Sequence, residues 1–420
     1  MTRRPTRWVA LGALASVVVS FGVAGAQTAP QPPPPTPVVQ PGGGTSPSPF
    51  PSTLRTPAPS AQIPEINAQA AVLADLDTGQ TMFALHPDER RPIASLTKIM
   101  TALLVGERTD PTDVVTVSDQ AASGRLAGIS ALGLKPGEQI RVNELMYALM
   151  LQSANDAAVA LAEHVSGSED AFVHDMNARA ARLGLDRTHF ASPNGLDDDG
   201  YSSAADLAWL TRVAYRTRGF ASIVATRIHT VTSLDEPSRI VQNRNILLWL
   251  YPGAIGVKTG FTSPAGFCVV ATAEREDQRL VAVVLGEPGE PFSDAAALLN
   301  YGFRAFDRRT IVEEGERIGA AEVDGRSIPL VAAHTFRGLV PADRPIHRAV
   351  VLDDRVAYPP AVGARIGVLR ISAAGSALAE VPAVVASVPP PPPTGSGPWW
   401  ARAVGAVVDA GVAVVDAVVG

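Results

Sequence analysis

Ser95-Leu96-Thr97-Lys98-Ile99-Met100-Thr101-Ala102-Leu103-Leu104 sets a hydroxyl and an amine three residues apart at the front of an apolar run. Leu96, Ile99, Met100, Leu103 and Leu104 recur at helical spacing, so the run predicts a helix starting near Ser95 and buried along one face. Positions i and i+3 lie one turn apart on the same side. Lys98 therefore stands beside Ser95, near a helix N-terminus whose free N–H groups favour developing negative charge. A serine hydroxyl needs a base to become a nucleophile at neutral pH. A lysine kept neutral by burial and a second nearby cation can be that base. S-x-x-K alone fits a capping serine and a surface lysine equally well. The charge inventory favours chemistry: Lys98, Lys135 and Lys258 are the only lysines among 35 Lys+Arg residues. An ammonium can lose its proton at accessible cost and a guanidinium cannot.

Two further stretches carry chemistry. Ser153-Ala154-Asn155 lies between two predicted helices, Asn143–Leu151 and Asp156–His164. A hydroxyl and an amide two residues apart can point into one cavity, Ser153 to relay a proton and Asn155 to orient the lysine or a substrate. The competing role for Ser153 is an N-cap of the second helix. Lys258-Thr259-Gly260 ends like a phosphate-binding loop, but Val257 stands where that loop needs glycine, and Pro264 follows too soon for a helix. An edge strand presenting an ammonium and a hydroxyl to an anionic ligand fits better, with Gly260 letting that ligand approach the backbone.

Around these stretches, residues 65–305 read as one α+β region. Ala71–Leu76 and Thr81–Leu85 flank a turn at Asp77-Thr78-Gly79-Gln80, and Gly266–Thr272 and Leu280–Gly286 restore strand character at the far end. The helices Glu169–Leu183 and Ala204–Tyr215 join those already named between them. Strands that open and close a helix-rich region predict a sandwich with sequence-distant strands in one sheet. Residues 306–387 change to short apolar stretches broken by Gly, Pro and Asp, a small all-β domain without chemistry of its own.

The ends read differently. Arg3, Arg4 and Arg7 precede an apolar run from Trp8 to Gly25, and Ala24-Gly25-Ala26 supplies small residues for cleavage, so residues 1–27 are expected to be a signal peptide, with an uncleaved anchor as the alternative. Residues 28–64 and 388–398 are Pro-rich linkers, which cannot bury a core. Residues 399–420 are small and apolar except Arg402, Asp409 and Asp416, seven apart on one stripe, and begin with Trp399-Trp400. They are expected to form a membrane-associating helix lying in the surface; packing on another protein chain is the other option.

Composition removes several classes. With 35 Lys+Arg against 41 Asp+Glu and a net charge of -6, there is no basic surplus for nucleic acid. One cysteine, Cys268, excludes a disulfide framework or a CxxC site, and the 7 histidines form no HExxH pair, so no metal or other cofactor is expected. Cys268, in an apolar strand, reads as core.

In this order, S-x-x-K, S-x-N and K-T-G are the set of the penicillin-recognising serine enzymes. Ile93–Ala102, Leu151–Ala157, Phe190–Asp206 and Gly256–Cys268 resemble the D-alanyl-D-alanine carboxypeptidases, the low-molecular-mass penicillin-binding proteins. The resemblance spans about residues 65–305. It implies the penicillin-binding-protein/β-lactamase-like transpeptidase fold, an exported enzyme at the outer face of the cell membrane or in the wall, and no cofactor. It also implies a substrate, the peptidoglycan stem peptide ending in D-Ala-D-Ala, with β-lactam antibiotics as covalent inhibitors. Residue by residue, it makes Ser95 the nucleophile, Lys98 its base and Ser153 the proton relay to the leaving D-alanine. Asn155 holds Lys98 and the substrate amide, while Lys258 and Thr259, beside Gly260, take the terminal carboxylate. The backbone N–H groups of Ser95 and Phe261 form the oxyanion hole. The resemblance leaves a D,D-endopeptidase, a transpeptidase and a non-catalytic wall-binding homologue open. A class A β-lactamase fits less well: it reads S-D-N in the second motif and adds a glutamate, for which Asp206 is the nearest substitute. Two departures stand out. Asn194 occupies a position where relatives often have histidine, and Glu287-Pro288-Gly289-Glu290 follows Gly286 where some place an arginine.

Overall fold

A computed structural model describes residues 62–388, apart from 124–129, 198, 355 and 374–375. The expected signal peptide, the C-terminal helix and nearly all of both linkers lie outside the described residues.

The main sheet holds β1 (Ala70–Asp75), β2 (Thr81–Leu85), β3 (Ala254–Thr262), β4 (Gly266–Arg275) and β5 (Gln278–Glu287) in the order β2-β1-β5-β4-β3. The first and last strands of the region thus meet at its centre: β1 pairs antiparallel with β5, Val72 opposite Val283 and Ala74 opposite Val281. Both faces are apolar, as the period-two pattern demands. Val281, Val283 and Leu285 join the core beneath the helical region, whereas Leu280, Ala282 and Val284 join the core beneath the helix Pro291–Ala305.

The helical region contains α1 (Lys98–Arg108), α2 (Val142–Tyr147), α3 (Asn155–Ser166), α4 (Glu169–Arg182) and α5 (Ala204–Ala214). Two boundaries differ from the sequence expectation. A 3-10 turn, Ala94–Thr97, precedes α1, so Ser95 sits in the tight turn and Lys98 opens the α-helix. The helix expected over 143–151 is α2 followed by a π-helical turn, Ala148–Gln152, which ends at Ser153 in the left-handed region. Such turns bulge a helix and recur at functional sites.

Among the described residues, the chain from Phe306 to Val388 forms strands joined by turns, with no helix. Five strands, including Arg326–Ala332 and Arg365–Ala373, form a second antiparallel sheet, and Phe306–Val312 pairs with Phe336–Pro341. Buried polar contacts join this part to the first: Arg308 Nη2 donates to Asp75 Oδ1 at 2.9 Å, and Gln80 Nε2 donates to the Leu339 carbonyl at 2.8 Å. Among the described residues no helix is long and apolar enough to cross a membrane.

Candidate active site

The site lies where the Ser95 turn, the π-turn before α3 and the edge strand β3 meet. Lys98 is its centre and is fully buried. Its Nζ donates to Asn155 Oδ1 at 2.8 Å and to the Asn194 carbonyl at 2.5 Å, and lies 3.0 Å from Ser95 Oγ. A neutral amine has two hydrogens and one lone pair. An amide oxygen and a peptide carbonyl can only accept, so they take the two hydrogens. The lone pair is left for the third neighbour, the Ser95 hydroxyl. The geometry is that of a base aimed at a nucleophile.

Electrostatics hold the amine in that state. Burial, chiefly, pushes Lys98 well below its ordinary value; the charges of Lys258 and Arg244 push the same way, and buried Asp156 opposes them. Lys258 is lowered to about 7, first by burial and then by Arg244. The second lysine is therefore half-charged near neutrality while the first is more strongly depressed.

Each side chain is placed by local backbone that resists relaxation. Ala94, just before the nucleophile, has φ 46° and Ser153 has φ 64°; non-glycine residues there cost roughly 1–3 kcal/mol each and persist only where packing enforces them. Asn155 opens α3 behind Ala154, which occupies the N-cap with no side-chain bond, so Ser153 does not cap this helix. Asp156 anchors the neighbouring loop, accepting from the amides of Leu132, Gly133 and Leu134 at 2.8–3.1 Å.

Lys258, Thr259, Gly260 and Phe261 lie on β3, the edge strand expected for them. Lys258 is buried opposite Val270, on the helix-facing side of the sheet. Gly260 also lies against the Ser95 turn. A Cβ there would lie 3.0 Å from the Ile93 carbonyl and 3.1 Å from the Ser95 amide. The chain's own Ser95 turn packs on this glycine in the space that a Cβ would occupy.

The structure thus joins Ser95, Lys98 and Asn155 directly and seats Gly260 on the nucleophile turn. Among the described residues, no hydrogen bond links Ser153 or Thr259 to that trio. Two contributors were missed. The Asn194 carbonyl had a signal in Gly195, whose φ of 74° and absent Cβ let the segment lie on the Ser95 turn; a Cβ would fall 2.0 Å from the Ala94 carbonyl oxygen. Arg244, 14 residues before Lys258 in sequence, had none. Asp206 belongs elsewhere: its buried carboxylate accepts from the Arg187 amide and Thr188 Oγ1, and burial raises its pKa. Cys268 is buried, with its thiol pushed up to about 11 by burial.

A mixed sheet-and-helix layer with a buried lysine against a serine at the seam of helix turn and edge strand defines the penicillin-binding-protein class of fold, joined here to a separate all-β domain. Comparison with known proteins agrees. Residues 57–289 match the peptidase S11 family, D-alanyl-D-alanine carboxypeptidase. The chain is 32% identical over 329 residues to the D-alanyl-D-alanine carboxypeptidase DacF of Bacillus subtilis, covering 75% of this chain and 84% of that one. It is 37% identical over 276 residues to DacA of Escherichia coli, covering 62% and 67%. Among solved structures it resembles penicillin-binding protein 5 of Haemophilus influenzae, with a TM-score of 0.69 and 33% identity over 78% of this chain and 99% of that one. It also resembles a mutant of the Streptomyces K15 DD-transpeptidase, with a TM-score of 0.56 and 33% identity over 57% and 99%. The chain belongs to the D-alanyl-D-alanine carboxypeptidase family.

Proposed function

We infer that this protein is a serine-type D,D-carboxypeptidase that removes the terminal D-alanine from peptidoglycan stem peptides and binds penicillin. The observation that carries this reading is the buried Lys98 amine, whose two hydrogens are taken by oxygens that can only accept and whose lone pair faces Ser95.

Ser95 Oγ attacks the carbonyl of the penultimate D-alanine as its proton passes to Lys98. The oxygen of the tetrahedral intermediate lies between the N–H groups of Ser95 and Phe261, each worth about 3–4 kcal/mol. When the C–N bond breaks, the proton held by Lys98 moves through Ser153 to the leaving amine, which returns Lys98 to its neutral form, and Asn155 holds the substrate amide as well as Lys98. Lys258 and Thr259 bind the terminal carboxylate beside Gly260. Water, deprotonated by the same amine, then cleaves the acyl-enzyme. A β-lactam acylates Ser95 in the same way and leaves slowly.

The residue ranges read from the sequence complete the proposal: catalytic domain over 65–305, β-domain over 306–387, export through residues 1–27, and a surface tether in the helix of 399–420. The pattern of charges and the Trp399-Trp400 pair support the tether. Incubation with benzylpenicillin should add one penicillin mass to the peptide containing Ser95, and nothing to Ser95→Ala. Steady-state release of D-alanine from a pentapeptide should accompany it. Labelling without D-alanine release refutes the carboxypeptidase assignment, and no labelling at all favours a wall-binding homologue.

A further inference from the structure

Edge strand β3 reaches the site through an irregularity. Its pairing with β4 runs from Thr272 opposite Gly256 to Ala273 opposite Ala254, which leaves Ile255 as an extra residue three positions before Lys258. The pairs run unbroken from Thr262 opposite Gly266 to Gly256 opposite Thr272 and carry Lys258 within them, and the bulge marks where that run ends; one residue of slip along it would invert the strand. In the observed register Lys258 stands opposite Val270, in the core beneath the helices. A one-residue slip would set it opposite Val269 or Ala271, in the core beneath the helix Pro291–Ala305.

The bulge is held from a different element. Tyr215, at the C-terminal end of α5, donates from its hydroxyl to the Ile255 carbonyl at 3.0 Å, and the same hydroxyl oxygen lies 2.6 Å from Thr272 Oγ1. Thr272 is fully buried, and a Cβ on Gly256 would lie 3.0 Å from the tyrosine oxygen. We propose that Tyr215, together with Thr272, is a positioning residue for substrate carboxylate recognition: its hydroxyl clamps the bulge at the end of the paired run and so keeps Lys258 in the register that faces the site. The proposal rests on the reading above, in which Lys258 takes the terminal carboxylate.

Tyr215→Phe removes one oxygen and keeps the ring, which packs edge-on against Phe220 with centroids 5.5 Å apart. Thr272→Val removes the other hydroxyl at equal volume. Each should raise KM for a D-Ala-D-Ala peptide by about tenfold while kcat moves less than about twofold. The double variant should be no worse than either single one, since both act on one bulge, and Thr272→Ser should restore the wild-type KM. A second readout is the preference for the free C-terminal carboxylate over the same peptide capped as an amide, which should shrink in both variants. Unaltered KM and preference overturn the positioning role, as does a loss that is additive, equal on both peptides and matched by lower thermal stability. A wild type that releases no D-alanine overturns the functional reading, and this proposal with it.

Discussion

Replacing Lys258 by methionine should stabilise the protein, and by an amount that depends on pH. In the native state Lys258 loses its proton near pH 7, whereas in the unfolded chain it keeps it until about 10.5. Between those values unfolding takes up a proton, so the native state gains stability as pH rises. Well below pH 7 both states carry the charge and the native state bears the full burial penalty. The gap from about 7 to 10.5 corresponds to roughly 5 kcal/mol at about 1.4 kcal/mol per pKa unit. At pH 9 roughly 2 kcal/mol of it remains, and above pH 10.5 none. Methionine fills similar volume without a charge, so Lys258→Met recovers that penalty while losing the carboxylate contact. In a domain of this size each kcal/mol moves Tm by about 2–4 °C. The Tm gain of Lys258→Met over the wild type should therefore be about 6–12 °C larger at pH 7 than at pH 9. Calorimetry on both proteins at the two pH values measures it. A gain equal at both, or a loss at both, refutes the idea that a buried, partly charged amine is held here against its solvation preference.

Lys98→Arg should abolish acylation by fluorescent penicillin, because a guanidinium keeps its proton and offers no lone pair to Ser95; residual labelling at even a tenth of the wild-type rate counts against Lys98 as the base. Gly195→Ala should slow acylation by about 100-fold, since its Cβ would fall 2.0 Å from the Ala94 carbonyl and 2.7 Å from Thr97 Oγ1, prising the Asn194 carbonyl off Lys98; stopped-flow acylation kinetics check it. Arg308→Ala should cost about 3–5 kcal/mol in urea unfolding, because it strands the carboxylate of Asp75, 0% exposed, at the seam with the β-domain.

How much of this was legible in the chain depended on the range of the interaction. The central sheet was readable in outline because the apolar run Leu280–Leu285 and the turn at Asp77–Gln80 are local patterns that imply sequence-distant strands in one sheet; that β1 lies beside β5 came from the structure. The pairing of Ser95 with Lys98 was readable because i and i+3 share a helix face, even though the turn proved to be 3-10 rather than α. The Asn194 carbonyl was not. Backbone oxygens carry no residue signature, and only Gly195 marks the close approach. Arg244 was equally silent, being one arginine among many in a chain that uses arginine for ordinary surface charge. Gly260 carries a second demand that sequence did not show: the Ser95 turn packs where its Cβ would be.

These partial failures share a cause that bears on how the site works. In the proposed mechanism reactivity comes from an amine kept neutral, and nothing in the identity of Lys98 says that it is neutral. Neutrality is enforced by burial and by two further positive groups, Lys258 and Arg244, against the pull of Asp156. Asp156 cannot simply be dispensed with, because three loop amides depend on it. The site therefore balances a structural anion against functional cations around one amine. The scarcity of lysine sharpens the balance: with arginine serving ordinary charge, the two buried lysines are the positions where losing a proton is useful. An arginine at either would keep its charge and could not switch.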